Sequence, residues 1–437
     1  MTTGGAATLA ADAVLAPLLI ELPPVERRAV LPAGFVAGAT TCGIKASGRP
    51  DLAVIASPGV DAAAAGVFTQ NRFAAAPVRL SQEHLRASSG RARAVVSTSG
   101  SANAATGPAG DADQLAIVEH LALVLDVPLD RVLCMSTGVI GTRLPVGLVA
   151  SGVESLVSGG LSADSVGLEA AAQAMMTTDS RVKLATTTVQ LGDPAGVATE
   201  IRVSGIAKGV GMIHPGMATM LAVLLTDAAV EPRVLDELLR QATTRTWNQL
   251  SVDGDTSTND TVILLASGAA GTRRGGVADP GSDAATALGK AVDAVARDLA
   301  RQQAADGEGA STLVTCQVSG AADDADARAV ARAVVSSSLV KAAVHGRDPN
   351  WGRIAGAAGN AAADVDPQRV RIAIAGHLVY DGSRSGPIAF DRAAAQAAMD
   401  APEVLFRLDL GLGDGRGEAF GCDLTEEYVR ENSEYTT

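Results

Sequence analysis

Short apolar runs and amphipathic stretches take turns along the chain, the pattern of strands alternating with helices. Compact apolar segments at 52–56, 94–96, 131–135, 262–266, 312–318 and 369–374 predict strands. Longer segments at 115–125, 164–176, 234–246, 283–306 and 324–344 predict helices. In the last three, apolar positions recur every three to four residues, the spacing that builds one buried face. Strand–helix alternation of this kind calls for α/β layers, sheets covered by helices, rather than a bundle or an all-β sandwich. No repeat of twenty to fifty residues stands out, which argues against solenoids and propellers.

Composition sharpens that picture. With 437 residues, 47% of them hydrophobic, the chain can bury a core larger than one compact domain needs, so two subdomains are expected. Only 3% are aromatic while glycine alone contributes 47 residues, so Val, Leu, Ala and Met must fill the core at close backbone approach. A net charge of −13 disfavours nucleic acid and anionic membrane surfaces as partners, and leaves small cationic substrates admissible. Cys42, Cys134, Cys316 and Cys422 are widely spaced without CxxC pairing and read as small core residues; nothing requires an oxidising compartment. Residues 5–20 are mildly apolar, but Asp12 interrupts them and no basic residue precedes them, so neither a secretory signal nor a membrane anchor is supported. Pro23-Pro24 followed by Glu26-Arg27-Arg28 reads as a loosely held linker.

One segment carries chemistry. Lys208-Gly209-Val210-Gly211-Met212-Ile213-His214-Pro215-Gly216-Met217-Ala218-Thr219-Met220-Leu221 places a threonine after an alanine at the entrance of the apolar run 221–225. A threonine hydroxyl beside a Pro-Gly turn can attack the preceding carbonyl, move the chain from nitrogen to oxygen and, after hydrolysis, leave Thr219 as a new amino terminus. An α-amino group titrates near pH ~8, so it can serve as base for the hydroxyl next to it. Spacing alone also admits a plain strand opening after a loop. Ser136-Thr137-Gly138-Val139-Ile140-Gly141 offers a second feature, a glycine turn after a strand able to aim backbone N–H groups at a developing oxyanion; a simple strand-to-helix bend is the alternative.

These segments resemble, in order, the motifs of the ornithine acetyltransferase family, the bifunctional glutamate N-acetyltransferases of arginine biosynthesis. Gly34-Phe35, 43–52 (GIKASGRPDL) and 66–71 (GVFTQN) are similar to its opening blocks. The stretches 251–261 (SVDGDTSTNDT), 307–309 (GEG), 348–353 (DPNWGR) and 432–437 (NSEYTT) are similar to later ones, so the likeness runs from about Leu31 to the end. The resemblance implies an α/β, layered αββα sandwich of the N-terminal-nucleophile autoprocessing kind, with two interleaved subdomains. It implies self-cleavage between Ala218 and Thr219, giving an extension at 1–30, an α chain at 31–218 and a β chain at 219–437. Thr219 then carries acetyl from N-acetylornithine to glutamate in ping-pong order, with no cofactor; some relatives accept acetyl-CoA as an alternative donor. By the same resemblance Thr137 and Gly138 supply the oxyanion donors. Substrate contacts fall on Thr177 (or its neighbour Thr178), Lys208, Thr219, Glu308, Asn432 and Thr437. On the residues alone, Lys208 and Glu308 would read as a solvated lysine and a loop glutamate, and 177–180 as the turn ending a helix. An α2β2 assembly of cleaved chains in the cytoplasm is implied as well.

Two departures from the family pattern are Gly216, where asparagine is usual, and Thr98-Ser99-Gly100-Ser101-Ala102-Asn103 in place of an Asn-rich block. The first could change the processing rate, the second the packing beside the acyl site. Two other readings stand beside transfer: a self-processing amidase or aminopeptidase, and an inactive member kept as a binding protein. Metal and nucleotide chemistry find no support. The stretch 253–259 mimics a calcium loop but lacks its glycine and its closing glutamate and reads as a polar structural loop, and 411–417 does not fit dinucleotide spacing. His84, His120, His214, His345 and His377 are scattered, which speaks against a zinc site or a histidine triad.

Overall fold

A computed structural model describes residues 21–192, 198–214, 220–271, 277–384 and 387–434. Within them the chain builds two compact units and passes through each twice. Leu22–Trp247 with Asp255–Gln303 form one, and Asn248–Gly254 with Ala304–Tyr435 form the other, so the interleaving expected from the resemblance is present.

The unit that begins at Leu22 holds two sheets. In the first, β1 (Val36–Thr40), β2 (Leu52–Ala56) and β5 (Ala94–Ser101) run antiparallel in that order, and β6 (Val132–Val139) joins β5 in parallel. The second has the order β4 (Arg91–Ala92), β3 (Ala62–Phe68), β11 (Thr261–Ala266), β9 (Leu221–Thr226), β8 (Ala198–Lys208) and β7 (Lys183–Gly192). β2, β9 and β11 are buried at every residue, which is why they read as unbroken apolar runs rather than alternating ones. Between the sheets, Ile55, Val95, Leu133 and Met135 meet Ile206, Val223, Leu225, Ile263 and Leu265, with Leu168, Ala171 and Met175 of helix Ser165–Met175 closing the same cluster. Beyond the first sheet, Val54, Val96 and Cys134 pack under Ile117 and Leu121 of helix Gly107–Leu125 and Val149 and Val153 of helix Val146–Ser158. On the second sheet, Gly205 of β8 leaves room for Val295 and Leu299 of helix Asp283–Ala305, where a Cβ would collide. The layers therefore run helix, sheet, sheet, helix, as expected.

The other unit is a single six-stranded sheet: β10 (Leu250–Ser251), β16 (Gly415–Cys422), β12 (Leu313–Ala321), β15 (Glu403–Asp409), β13 (Arg371–Ile374) and β14 (His377–Asp381). Val314, Cys316, Phe406 and Leu408 of that sheet pack with Val330 and Val334 of helix Asp324–Ser336 and Ile354 of helix Trp351–Gly359.

Two local expectations change. The single helix expected over 324–344 is two, Asp324–Ser336 and Ser338–His345. Ser337 leaves helical geometry (φ −71°, ψ 116°) and its side chain accepts from the Val340 N–H, so a serine that competes for backbone hydrogen bonds restarts the helix. The linker after Pro23 is not loose: Glu26 and Thr186 exchange two backbone hydrogen bonds of 2.9 Å, and Arg27 pairs with Asp298 at 2.9 Å. All four cysteines are free, and three of them are buried among core side chains.

Candidate active site

The parallel pairing of β5 and β6 sets Ser99 beside Thr137 and Gly100 beside Gly138 at the ends of the two strands. Thr137 and Gly138 thus close a strand rather than form a turn after it. Gly138 has φ +128°, and a Cβ there would lie 2.3 Å from the Gly100 carbonyl carbon, so only glycine fits. Asn259 secures this corner by donating to the carbonyls of Ala102 (2.7 Å) and Ser136 (2.9 Å). Thr69 Oγ1 donates to the Ser257 carbonyl at 2.7 Å and Asn71 Nδ2 to that of Thr256 at 3.0 Å, so 256–259 act as the polar structural loop expected from sequence.

Lys208 ends β8, paired with Leu221 of β9. It is buried (2% exposed), contrary to what a lone lysine would suggest. Its carbonyl accepts from Gln303 Nε2 at 2.7 Å, and Gln303 in turn accepts from the Trp247 indole at 2.8 Å. Its ammonium donates to Thr137 Oγ1 at 2.9 Å, bringing together two expected site residues 71 positions apart. An ammonium has only donors, so the threonine oxygen must accept, and its own O–H is left to donate elsewhere.

Asp179 underlies this pair and was not singled out by sequence reasoning. It lies in the block after helix Ser165–Met175, and its carboxylate accepts from the Lys183 ammonium (2.7 Å), the Gly209 N–H (2.8 Å) and the Thr177 N–H (3.1 Å). Burial works against its charge, but Lys183, Lys208 and the Gly209 N–H outweigh that cost and hold its carboxyl below the ordinary value. Thr177 thereby joins the Lys208 network through its backbone, and its carbonyl accepts from Arg49 at 3.0 Å. Thr178 is exposed. Burial, followed by the like charges of Arg49 and Lys208, pushes the Lys45 ammonium down to about 8, while its Nζ donates to the carbonyls of Pro50 (2.7 Å) and Ala174 (3.1 Å).

The loop bearing Lys45 is folded around Asp51, whose buried carboxylate accepts the backbone N–H groups of Cys42, Gly43, Ile44 and Lys45 at 2.6–3.0 Å. Burial opposes this charge, but the backbone N–H groups of Cys42, Lys45 and Ile44 and the Cys42 thiol prevail and hold the carboxyl below its ordinary value. An amide could accept through one oxygen only and would turn donors against donors. Asp51→Asn is therefore expected to cost about 2–4 kcal/mol in chemical denaturation at neutral pH. A depressed carboxylate contributes its full stability above the unfolded value and loses it as pH falls through the folded one. Below pH ~4 the gap between wild type and variant should accordingly close; a gap that persists there would mean that packing rather than charge is at stake.

In the other unit, the turn at 307–309 and helix Glu426–Glu434 bring Glu308 and Asn432 together, Asn432 Nδ2 donating to Glu308 Oε2 at 3.0 Å. Gly309 (φ +65°) is needed there, because a Cβ would lie 2.3 Å from the Tyr428 nitrogen. Thr219, Ala218, Gly216 and Thr437 lie outside the described residues. The strands on either side of 215–219, β8 and β9, are described neighbours in one sheet. Among the described residues no cluster of three or more His, Cys, Asp or Glu could hold a metal ion, and no helix is long and apolar enough to cross a membrane.

Over most of its length the chain is similar to known proteins. A protein named arginine biosynthesis bifunctional protein ArgJ from Thermus thermophilus is 48% identical over 407 residues, covering 93% of this chain and 99% of its own. One of the same name from Synechococcus is 46% identical over 420 residues, covering 93% and 96%. A crystal structure of ornithine acetyltransferase complexed with ornithine, from Mycobacterium tuberculosis, is 42% identical with a TM-score of 0.39, covering 44% of this chain and 97% of that one. The family model described as ArgJ matches residues 36–437, and the chain belongs to the ArgJ family.

Proposed function

We propose that this chain is a glutamate N-acetyltransferase of arginine biosynthesis that moves an acetyl group from N-acetylornithine to glutamate through Thr219, after cutting itself between Ala218 and Thr219. The observation that carries the reading is the Lys208–Thr137 hydrogen bond at the pair Lys208–Leu221, two residues beyond Thr219 in the chain. With its lone pair engaged by Lys208, the Thr137 hydroxyl donates toward an acyl oxygen, and Gly138 offers a backbone N–H from the same strand end. The Thr219 amine takes the proton of its own hydroxyl, the hydroxyl attacks the acetyl carbonyl, and the oxyanion is stabilised by these two donors. Ornithine departs as the amine, and the glutamate amine then attacks the acetyl ester.

The two ends of the substrate call for opposite charges. As the resemblance implies, the substrate contacts are Thr177, Lys208, Thr219, Glu308, Asn432 and Thr437, with Lys208 suited to a carboxylate and Glu308 to an ammonium. The half-chains 1–218 and 219–437 remain together and pair as an α2β2 particle in the cytoplasm; acetyl-CoA is a second donor to be tested.

The decisive experiment incubates purified protein with N-acetylornithine and glutamate and follows products and protein mass together. Acetylglutamate should appear in step with ornithine, with an acetylated fragment starting at Thr219 when glutamate is withheld. Acetate release with no acetylglutamate would replace this reading with hydrolysis. An intact chain without turnover would replace it with a binding role.

A further inference from the structure

Met220 follows Thr219 directly, so its backbone nitrogen is the atom to which the Thr219 carbonyl is bonded, and the fold fixes that nitrogen. It donates to Asp260 Oδ1 at 3.0 Å. Asp260 is wholly buried (0% exposed) at the entrance to β11. The Thr69 N–H donates to its carbonyl at 3.0 Å, and the Thr261 N–H donates to the Met220 carbonyl at 3.1 Å, so the carboxyl is held against the start of β9. Its second oxygen makes no hydrogen bond among the described residues. The side chains that face it are the Ser257 hydroxyl and the Lys208 ammonium. Asp179 and Lys45 act on that lysine in turn, and Lys183 pairs with Asp179. Burial outweighs the Met220 N–H, the Lys208 charge and the Ser257 hydroxyl and raises the carboxyl well above its ordinary range. The shift favours the protonated carboxyl, which accepts through one oxygen and has an O–H to give from the other.

We propose that Asp260 donates the proton that the Thr219 nitrogen needs when the Ala218–Thr219 bond breaks. This rests on the reading of Thr219 given above. The Thr219 hydroxyl oxygen bonds to the Ala218 carbonyl carbon, the carbon–nitrogen bond breaks, and the nitrogen leaves as an amine. An amide nitrogen leaves poorly unless it is protonated as the bond breaks. Asp260 supplies that proton and regains the one released by the hydroxyl, so the rearrangement from amide to ester exchanges no proton overall. Water then splits the ester into the Ala218 carboxylate and the free Thr219 hydroxyl. Nitrogens of successive residues are three bonds apart, about 3–4 Å, so an acid anchored on the second is close to the first.

The test follows cutting by intact mass in freshly synthesised full-length chain between about pH 5 and 9, for wild type and Asp260→Asn. The amide oxygen of asparagine can still accept from Met220, so a structural role alone survives the change. The variant is expected to cut at least about 10²-fold more slowly, and the wild-type rate should fall on the alkaline side with a limb that the variant lacks. Equal rates and profiles in a wild type that cuts would overturn the role of Asp260 and leave Thr219 standing. A wild type that transfers acetyl without ever cutting would overturn both. Should the variant fail to fold, as judged by circular dichroism, the wild-type profile decides: a rate that does not fall at alkaline pH refutes the proposal.

Discussion

Thr219→Ala is expected to leave a single chain of 43.9 kDa and to lower acetyl transfer by about 10⁴-fold or more. Both losses follow from one atom. Without Oγ there is no nucleophile to open the Ala218 carbonyl, so the α-amine is never released. Even if a protease made the cut, no alcohol would remain to carry the acetyl group. Thr219→Ser keeps hydroxyl and amine and loses only the methyl that restricts the rotamer; it should cut and transfer, more slowly than wild type. Electrophoresis and intact mass give the first readout, and acetylglutamate formation the second. A cleaved, active alanine variant would remove Thr219 from the mechanism.

Thr137→Ala should act on transfer rather than on binding. The hydroxyl is buried, held by Lys208 at 2.9 Å, and has its proton to spend on an oxyanion that exists only as the acetyl carbonyl is attacked. Loss of one such donor typically costs about 10²–10³-fold in rate. The expected result is a fall in kcat of that size with KM nearly unchanged, and slower self-cutting, since that reaction passes through an oxyanion too. Thr137→Ser should restore most of the rate because it restores the donor. A rise in KM at constant kcat would instead make Thr137 a substrate contact.

The core strands were legible because burial on both faces writes itself as unbroken apolar runs, as at 52–56 and 262–266. The hairpin of β7 and β8 was not: Thr186, Thr187, Thr188 and Gln190 dilute its apolar positions, and its pairing is set by the register Lys183 to Ala207 through Gly192 to Ala198, which no local pattern encodes. The site was legible only in pieces. Thr137, Lys208, Glu308 and Asn432 came from motifs, but a motif does not reveal that Lys208 reaches Thr137 or that Asn432 reaches Glu308. Asp179, Asp51 and Asp260 escaped notice for another reason. In sequence they are ordinary acids in polar segments, and their significance comes from burial against backbone N–H groups and, for Asp179, the Lys183 ammonium, which is a property of the fold.

The strand order β4-β3-β11-β9-β8-β7 bears on what the proposed cut can and cannot do. β9 and β11 descend from the segment after Thr219, yet they occupy the middle of the sheet, with β3 on one side and β8 on the other supplied by the segment before it. Scission would therefore change connectivity without freeing either piece, since parting them would strip main-chain partners from both flanks of an inserted pair. The unit built on this sheet should melt as one body. Once melted, its pieces must find each other by collision, so recovery should depend on concentration in a way that the uncut Thr219→Ala chain does not share.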